Sequence, residues 1–205
     1  MDKDTLWHHI DTERDAVATV LEGLDSKQWA TPSLCESWTV GHVAAHLAWQ
    51  DVRTHQAVLP LIRARFDSNA MIHQAAVRSP LTQPQIVTKL RSFNGRRVRP
   101  PFVSDIEPLI DVLVHTQDIC LPLGLEHAPP ADAVITAISR IAELNEGRMR
   151  LGPSLTGIHL VATDTEWQIG NGQHTVRGPL KHLLLAVAGR RHAQRYLSGD
   201  LESWT

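Results

Sequence analysis

The segment from Ser104 to Cys120 constrains this chain more than any other, because a helix drawn through it is apolar on nearly every side. Ser104 and Glu107 have capping-box spacing, Pro108 is tolerated in a first turn, and Pro122 and Gly124 mark the stop. At ~100° per residue, Asp111, His115 and Asp118 share a stripe about 60° wide. Val114 and Ile119 flank the stripe, while Leu109, Leu113 and Cys120 lie on the far side. A helix of this kind is normally buried. Its narrow polar stripe then faces an interior cavity, where ionisable groups need partners, since an unpaired buried charge costs several kcal/mol. A metal ion is one such partner. The spacing Asp111-x-x-x-His115 sets both side chains on adjacent turns, within reach of one ion. Taken alone, the same spacing is more commonly an i,i+4 ion pair or hydrogen bond on a partly exposed face.

The rest of the first 150 residues reads as helices divided by short punctuated loops. Leu6, Ile10, Val17, Leu21 and Leu24 recur at helical spacing in an opening helix that ends near Gly23. After a loop containing Pro32, Thr39 is the expected N-cap of a second helix from Val40 to about Arg53, with Pro60 as its outer limit. A third begins at Thr82 with Pro84 in its first turn and carries Ile86, Val87, Leu90 and Phe93 on one side. The stretch from Asp67 to Pro80 has no readable motif and is taken as a loop. Pro129-Pro130 introduce a further helix bearing Val134, Ile138, Ile141 and Leu144, which ends by Gly147.

The pattern changes after Pro153. Ile158–Ala162 and Trp167-Gln168-Ile169 read as strands, and Gly170-Asn171-Gly172 supplies turn residues that tolerate positive φ. Gly178-Pro179 opens a last amphipathic helix with Leu180, Leu183, Leu184 and Val187. The expected architecture is mainly α: a helical bundle over residues 1–150, then a small α+β extension over 151–205.

Charge excludes several functions. Against 22 acidic residues the chain has 20 basic ones, which argues against a partner held by bulk charge, such as nucleic acid. Apolar residues make up 42%, too many for a disordered chain, and no stretch approaches a membrane span. The polar start Met1-Asp2-Lys3-Asp4 is unlike a signal peptide, and two cysteines cannot build a disulfide framework, so a reducing, cytoplasmic setting is expected. The oddity is twelve histidines.

Among them His42 and His46 stand four apart in Val40–Leu47. His46, between Val43 and Leu47, points inward on this reading, and Gly41 with the two alanines lets a neighbouring element approach closely. A lone histidine in such a place is more often a satisfied core residue than a ligand. His42 and His55 read as surface or supporting residues. Cys35 has no adjacent base in sequence and reads as a structural thiol. Ser154 lacks the Gly-x-Ser-x-Gly elbow, and Gly170-Asn171-Gly172 continues into no phosphate-binding pattern. The clusters Arg96-Arg97 with Arg99, and Arg190-Arg191 with Arg195, read first as solvated surface, and second as carboxylate-binding groups beside a metal site.

The block Pro32-Ser33-Leu34-Cys35-Glu36-Ser37-Trp38-Thr39-Val40-Gly41-His42-Val43-Ala44-Ala45-His46-Leu47 resembles the N-terminal signature of the mycothiol-dependent maleylpyruvate isomerase family, one of the DinB-like metal-binding four-helix bundles. The resemblance continues through Asp111–Ile119, Ala162–Trp167, Arg177-Gly178-Pro179 and Leu183–Arg190. It implies a DinB-like four-helix bundle with a divalent metal, usually zinc, held by His46, Asp111 and His115. Asp118 would accept a ring hydrogen bond from a ligand histidine. Glutamate stands at the Asp111 position in the characterised isomerase pattern, so this side chain reaches one methylene less. His42 replaces an acidic residue often found there. The implied activity is metal-dependent and mycothiol-using: thiol transfer, or isomerisation like that of maleylpyruvate, on a small electrophile. The alternative is a non-catalytic metal- or small-ligand-binding protein of the same fold, and a regulatory bundle without metal is a third reading. Nothing in the sequence fixes the electrophile or the oligomeric state.

Overall fold

The first three helices each begin at a residue whose side chain satisfies their first N–H groups. The computed structural model describes residues 1–51, 68–100, 103–147 and 150–204. In α1, Lys3–Glu22, the Asp2 carboxylate accepts from the N–H groups of Asp4 and Thr5, both at 3.0 Å, and Gly23 ends the helix. A single turn, α2, Ser26–Trp29, follows behind an Asp25/Gln28 capping box, inside what the sequence suggested was loop. Helix α3, Val40–Leu47, starts at Thr39 as expected, and His42 completes its capping box. It is shorter than the run to Arg53 that periodicity suggests: Ala48 closes it and residues 48–51 form a turn. The remainder of that expected helix, with His55, lies outside the described residues.

Two further corrections concern the next segments. Residues Ser68–Val77 form a helix, α4, where a loop was expected. Its apolar residues are mostly small and spread around the axis, so no stripe announces it. Helix α5, Gln83–Arg91, begins at Thr82 with Pro84 in its first turn, and Ile86, Val87 and Leu90 are buried as anticipated. Helix α6 spans Glu107–Cys120. Its capping box does not form as the sequence suggests: the Ser104 hydroxyl bonds directly to the Glu107 carboxylate, and Ile106 occupies the cap without a side-chain bond.

Helices α1, α3, α5 and α6 pack on one another, and α4 packs on α3. Their shared core includes Val17, Leu21, Val43, Leu47, Phe93, Val112 and Ile119. As the all-round apolar pattern required, twelve residues of α6 are buried. This compact unit runs from Asp2 to Glu126.

From His127 onward the chain forms a second unit. Helix α7, Ala131–Asn145, belongs to it, whereas the expected division at residue 150 placed this helix with the bundle. The cause is visible at its last residue. Asn145 is fully buried, donates to the carbonyls of Pro153 and Val187 (2.9 Å each), and accepts from the N–H groups of Leu151 and Gly152. Strands β1 (Ile158–Ala162), β2 (Gln168–Ile169), β3 (His174–Gly178) and β4 (Ser198–Gly199) form a sheet in the order β2-β1-β3-β4. The β1–β3 pair is parallel, with Leu160 opposite Val176, and the outer pairs are antiparallel. Gly170 turns the β2 end at φ 80°, as its sequence context anticipated. Helix α8, Leu180–Val187, packs on β1, β3 and α7. No helix among the described residues is long and apolar enough to cross a membrane.

Gly41 provides a test of packing in the helical unit. A Cβ built there would stand 2.3 Å from the Trp29 indole nitrogen and 2.7 Å from its Cδ1. Gly41→Ala is expected to lower stability by about 1–3 kcal/mol through overpacking. Gly23→Ala, whose new Cβ meets only Val20 O at 3.6 Å, should change it by less than about 0.5 kcal/mol. Urea unfolding of both variants separates the two outcomes.

Candidate metal centre

The polar stripe of α6 faces α3 and the loop that precedes it. His46 Nε2 lies 3.7 Å from Asp111 Oδ2, and the His46 and His115 rings meet edge to face with centroids 4.9 Å apart. One donor atom from each of His46, Asp111 and His115 falls within 4.8 Å of the other two. Donors around a tetrahedral zinc ion stand roughly 3.3 Å apart, so movements of about an ångström would close the set on an ion. The two histidine side chains are 13% and 11% exposed and Asp111 is 36% exposed, so the cluster is reached from the Asp111 side.

A second layer holds these side chains. Asp118, which is fully buried, lies with Oδ2 2.9 Å from His115 Nδ1, leaving Nε2 of His115 for an ion. Burial alone would drive His115 towards its neutral form; the Asp118 carboxylate and the Cys35 sulfur outweigh it and raise its pKa to about 10. On the other flank, Gln50 donates through Nε2 to Asp111 Oδ2 at 3.1 Å and accepts at Oε1 from Arg14 at 2.5 Å. Arg14 also donates to the Val98 carbonyl at 2.7 Å, and packs over Phe93 and Trp7. Its burial lowers the guanidinium pKa to about 10, against the attraction of Asp11 and Asp111, so it stays charged at neutral pH.

The loop from Pro32 to Thr39 closes over the cluster. Pro32 and Thr39 form an isolated bridge, Ser33 N–H donates to Trp38 O at 2.9 Å, and Ser37 takes a left-handed φ of 64° to make the turn. Leu34 N–H donates to the Asp118 carbonyl at 3.2 Å, which fixes the loop to α6. Trp38 thereby lies against His46 and His115, with centroids 5.4 and 6.4 Å away, and its indole N–H donates to His73 Nδ1 at 2.7 Å.

His42 serves as the α3 capping partner rather than as part of the cluster. Ser154 bonds to Glu146 and Thr156. Arg97 and Arg99 pair with Asp4 and Asp105, and Arg190 bonds to the Ala188 carbonyl. Arg14, Gln50, Cys35, Trp38 and His73 are the neighbours that sequence reading missed. Gln50 alone carried a usable signal, standing four residues after His46. Cys35 does have a base beside it, in space rather than in sequence.

The Gln50 relay can be broken without touching a donor of the cluster. Gln50→Leu deprives Arg14 of one acceptor and Asp111 of one donor, and should destabilise the metal-free protein by about 1–3 kcal/mol. Unfolding at the parent's urea midpoint would show that the relay holds nothing.

The chain is similar to known proteins in sequence pattern and in fold. Residues 10–120, just over half of the chain, match the family model described as the mycothiol maleylpyruvate isomerase N-terminal domain. No curated protein is significantly similar in sequence. Among solved structures, the mycothiol-dependent maleylpyruvate isomerase superposes with a TM-score of 0.62 at 14% identity, covering 98% of this chain and 94% of that one. A histidine-to-alanine mutant of that isomerase gives 0.63 at 15% identity, with the same coverage. At such identity the superposition speaks for the fold, and the family model for descent. The chain belongs to the mycothiol maleylpyruvate isomerase family.

Proposed function

We propose that this protein is a metal-dependent enzyme that uses mycothiol to isomerise, or transfer the thiol to, a small electrophile. The carrying observation is the convergence of His46, Asp111 and His115, backed by Asp118 and Gln50. The names of the structural neighbours, each a mycothiol-dependent maleylpyruvate isomerase, supply the thiol and the reaction class. Two imidazoles and one carboxylate form a donor set suited to zinc, with one position left for a thiol or substrate.

When bound, such an ion supplies a Lewis acid that keeps a low-molecular-weight thiol in its nucleophilic, deprotonated form at neutral pH. The protein's own groups arrange the rest. Asp118 fixes the His115 ring through Nδ1, and Gln50 fixes the Asp111 carboxylate through Oδ2. The Trp38 indole shields the histidine face from water. Asp111 is the most exposed donor, so the approach for thiol and electrophile is on its side. The Asp111 side chain is one methylene shorter than glutamate, and the Gln50–Arg14 relay holds it in place.

Three measurements test the reading. Mycothiol-dependent turnover, with maleylpyruvate as first substrate, should accompany a bound divalent metal in protein purified without a histidine tag. His46→Ala and Asp111→Ala should lose both, while keeping helical circular dichroism and a cooperative melt; Asp111→Glu should retain metal. Bound metal adds stability by linkage only, about 4 kcal/mol at 1,000 times Kd. Collapse of the bundle in His46→Ala would instead make the ion structural. Loading through His115 must also displace a proton held up to pH about 10, so affinity should rise about tenfold per pH unit below that value. A pH-independent affinity would remove His115 from the ligand set.

A further inference from the structure

We propose that Cys35, His115 and Asp118 form a second metal site, selective for thiophilic cations, which competes with the outer cluster for His115. Cys35 Sγ lies 3.0 Å from Asp118 Oδ2 and 3.6 Å from His115 Nδ1, and these two atoms are 2.9 Å apart. Around a tetrahedral ion with metal–sulfur and metal–nitrogen bonds of about 2.3 and 2.0 Å, sulfur and nitrogen donors stand roughly 3.5 Å apart and nitrogen and oxygen donors roughly 3.3 Å. The three atoms are therefore within about half an ångström of a ligand triangle before any ion arrives. The backbone holds them there: Leu34 N–H bonds to the carbonyl of Asp118 itself, next to Cys35.

Charge and softness decide what this site takes. A thiolate and a carboxylate bring two negative charges to a place where Asp118 is wholly buried, matching a divalent cation that satisfies both. Thiolate sulfur favours a soft divalent ion such as cadmium, whereas His46 and Asp111 add only imidazole and carboxylate donors, which have no such preference. Binding releases the Cys35 thiol proton and the Nδ1 proton of His115; no electron moves. The metal–sulfur and metal–nitrogen bonds replace the S–H and N–H bonds. His115 then carries its remaining proton on Nε2, the nitrogen that the outer cluster needs. A soft ion on the inner side thus disables the outer cluster without touching His46 or Asp111.

Cadmium is the probe, titrated into the metal-free full chain while the ultraviolet thiolate-to-cadmium charge-transfer band is followed. The parent should develop the band at one equivalent and lose the ability to take up zinc. Cys35→Ser should lose the band yet still bind zinc, and His46→Ala should keep the band with an unchanged midpoint. The proposal is overturned if cadmium binds the parent without the band, or if Cys35→Ser keeps it, which would assign it to Cys120. It is equally overturned if His46→Ala abolishes it, which would make Cys35 part of the outer cluster. Should Cys35→Ser fail to fold, the cadmium NMR shift of the parent distinguishes one sulfur donor from none. The competition for zinc rests on the outer cluster proposed above, whereas the charge-transfer band reads the inner site alone, so failure of either reading is told from failure of the other.

Discussion

The structure depends on a carboxylate that has no access to water. Asp118 is fully buried in the middle of the helical unit, where an isolated charge would cost several kcal/mol. Its solution is to gather partners from two places: the His115 ring one turn earlier on α6, and the Cys35 thiol on the loop before α3. The Asp118 backbone adds a third tie, to Leu34. Satisfying one buried anion therefore fixes the orientation of a ring and the position of a loop. That loop carries Trp38 onto the two histidines.

Asp111 is held from the opposite direction by a buried cation. Arg14 of α1 reaches Gln50 beyond α3, and Gln50 reaches Asp111 on α6, so one polar chain crosses three elements. Arg14 is 1% exposed, lies against two aromatic rings and keeps its charge at neutral pH, helped by the attraction of Asp11 and Asp111. The two halves of the outer cluster are thus positioned by groups of opposite sign. Supports of this kind orient metal ligands and set their basicity.

Sequence identity of 15% with a structure that superposes over 98% of the chain has a simple physical basis. A bundle core tolerates exchange among apolar side chains when volume and pattern are kept. Polar groups inside it do not exchange so freely, because each needs a partner of fixed geometry. Gly41 is similarly constrained, since the Trp29 ring occupies the space of a Cβ. The fold can therefore persist while most of its core side chains change.

The sequence by itself determined what lies within a helical turn or two. Thr39 announces the start of α3, the apolar spacing of α1, α5 and α7 marks their buried faces, and Asp111, His115 and Asp118 share one stripe by periodicity. His46 read from its own helix as an inward-facing candidate, but resemblance to a family was needed to group it with them, because its helix gives no clue to which other helix it faces. Helix α4 was illegible because small residues leave no stripe, and the amphipathic face of α7 does not name the elements it packs against. Tertiary structure alone decided that Cys35 meets a residue 83 positions away and that Arg14 reaches Gln50 across 36. Backbone hydrogen bonding couples residues three or four apart and is written locally. Contacts between elements follow from which buried surfaces and buried charges can be satisfied together, and that is settled only when the whole unit packs.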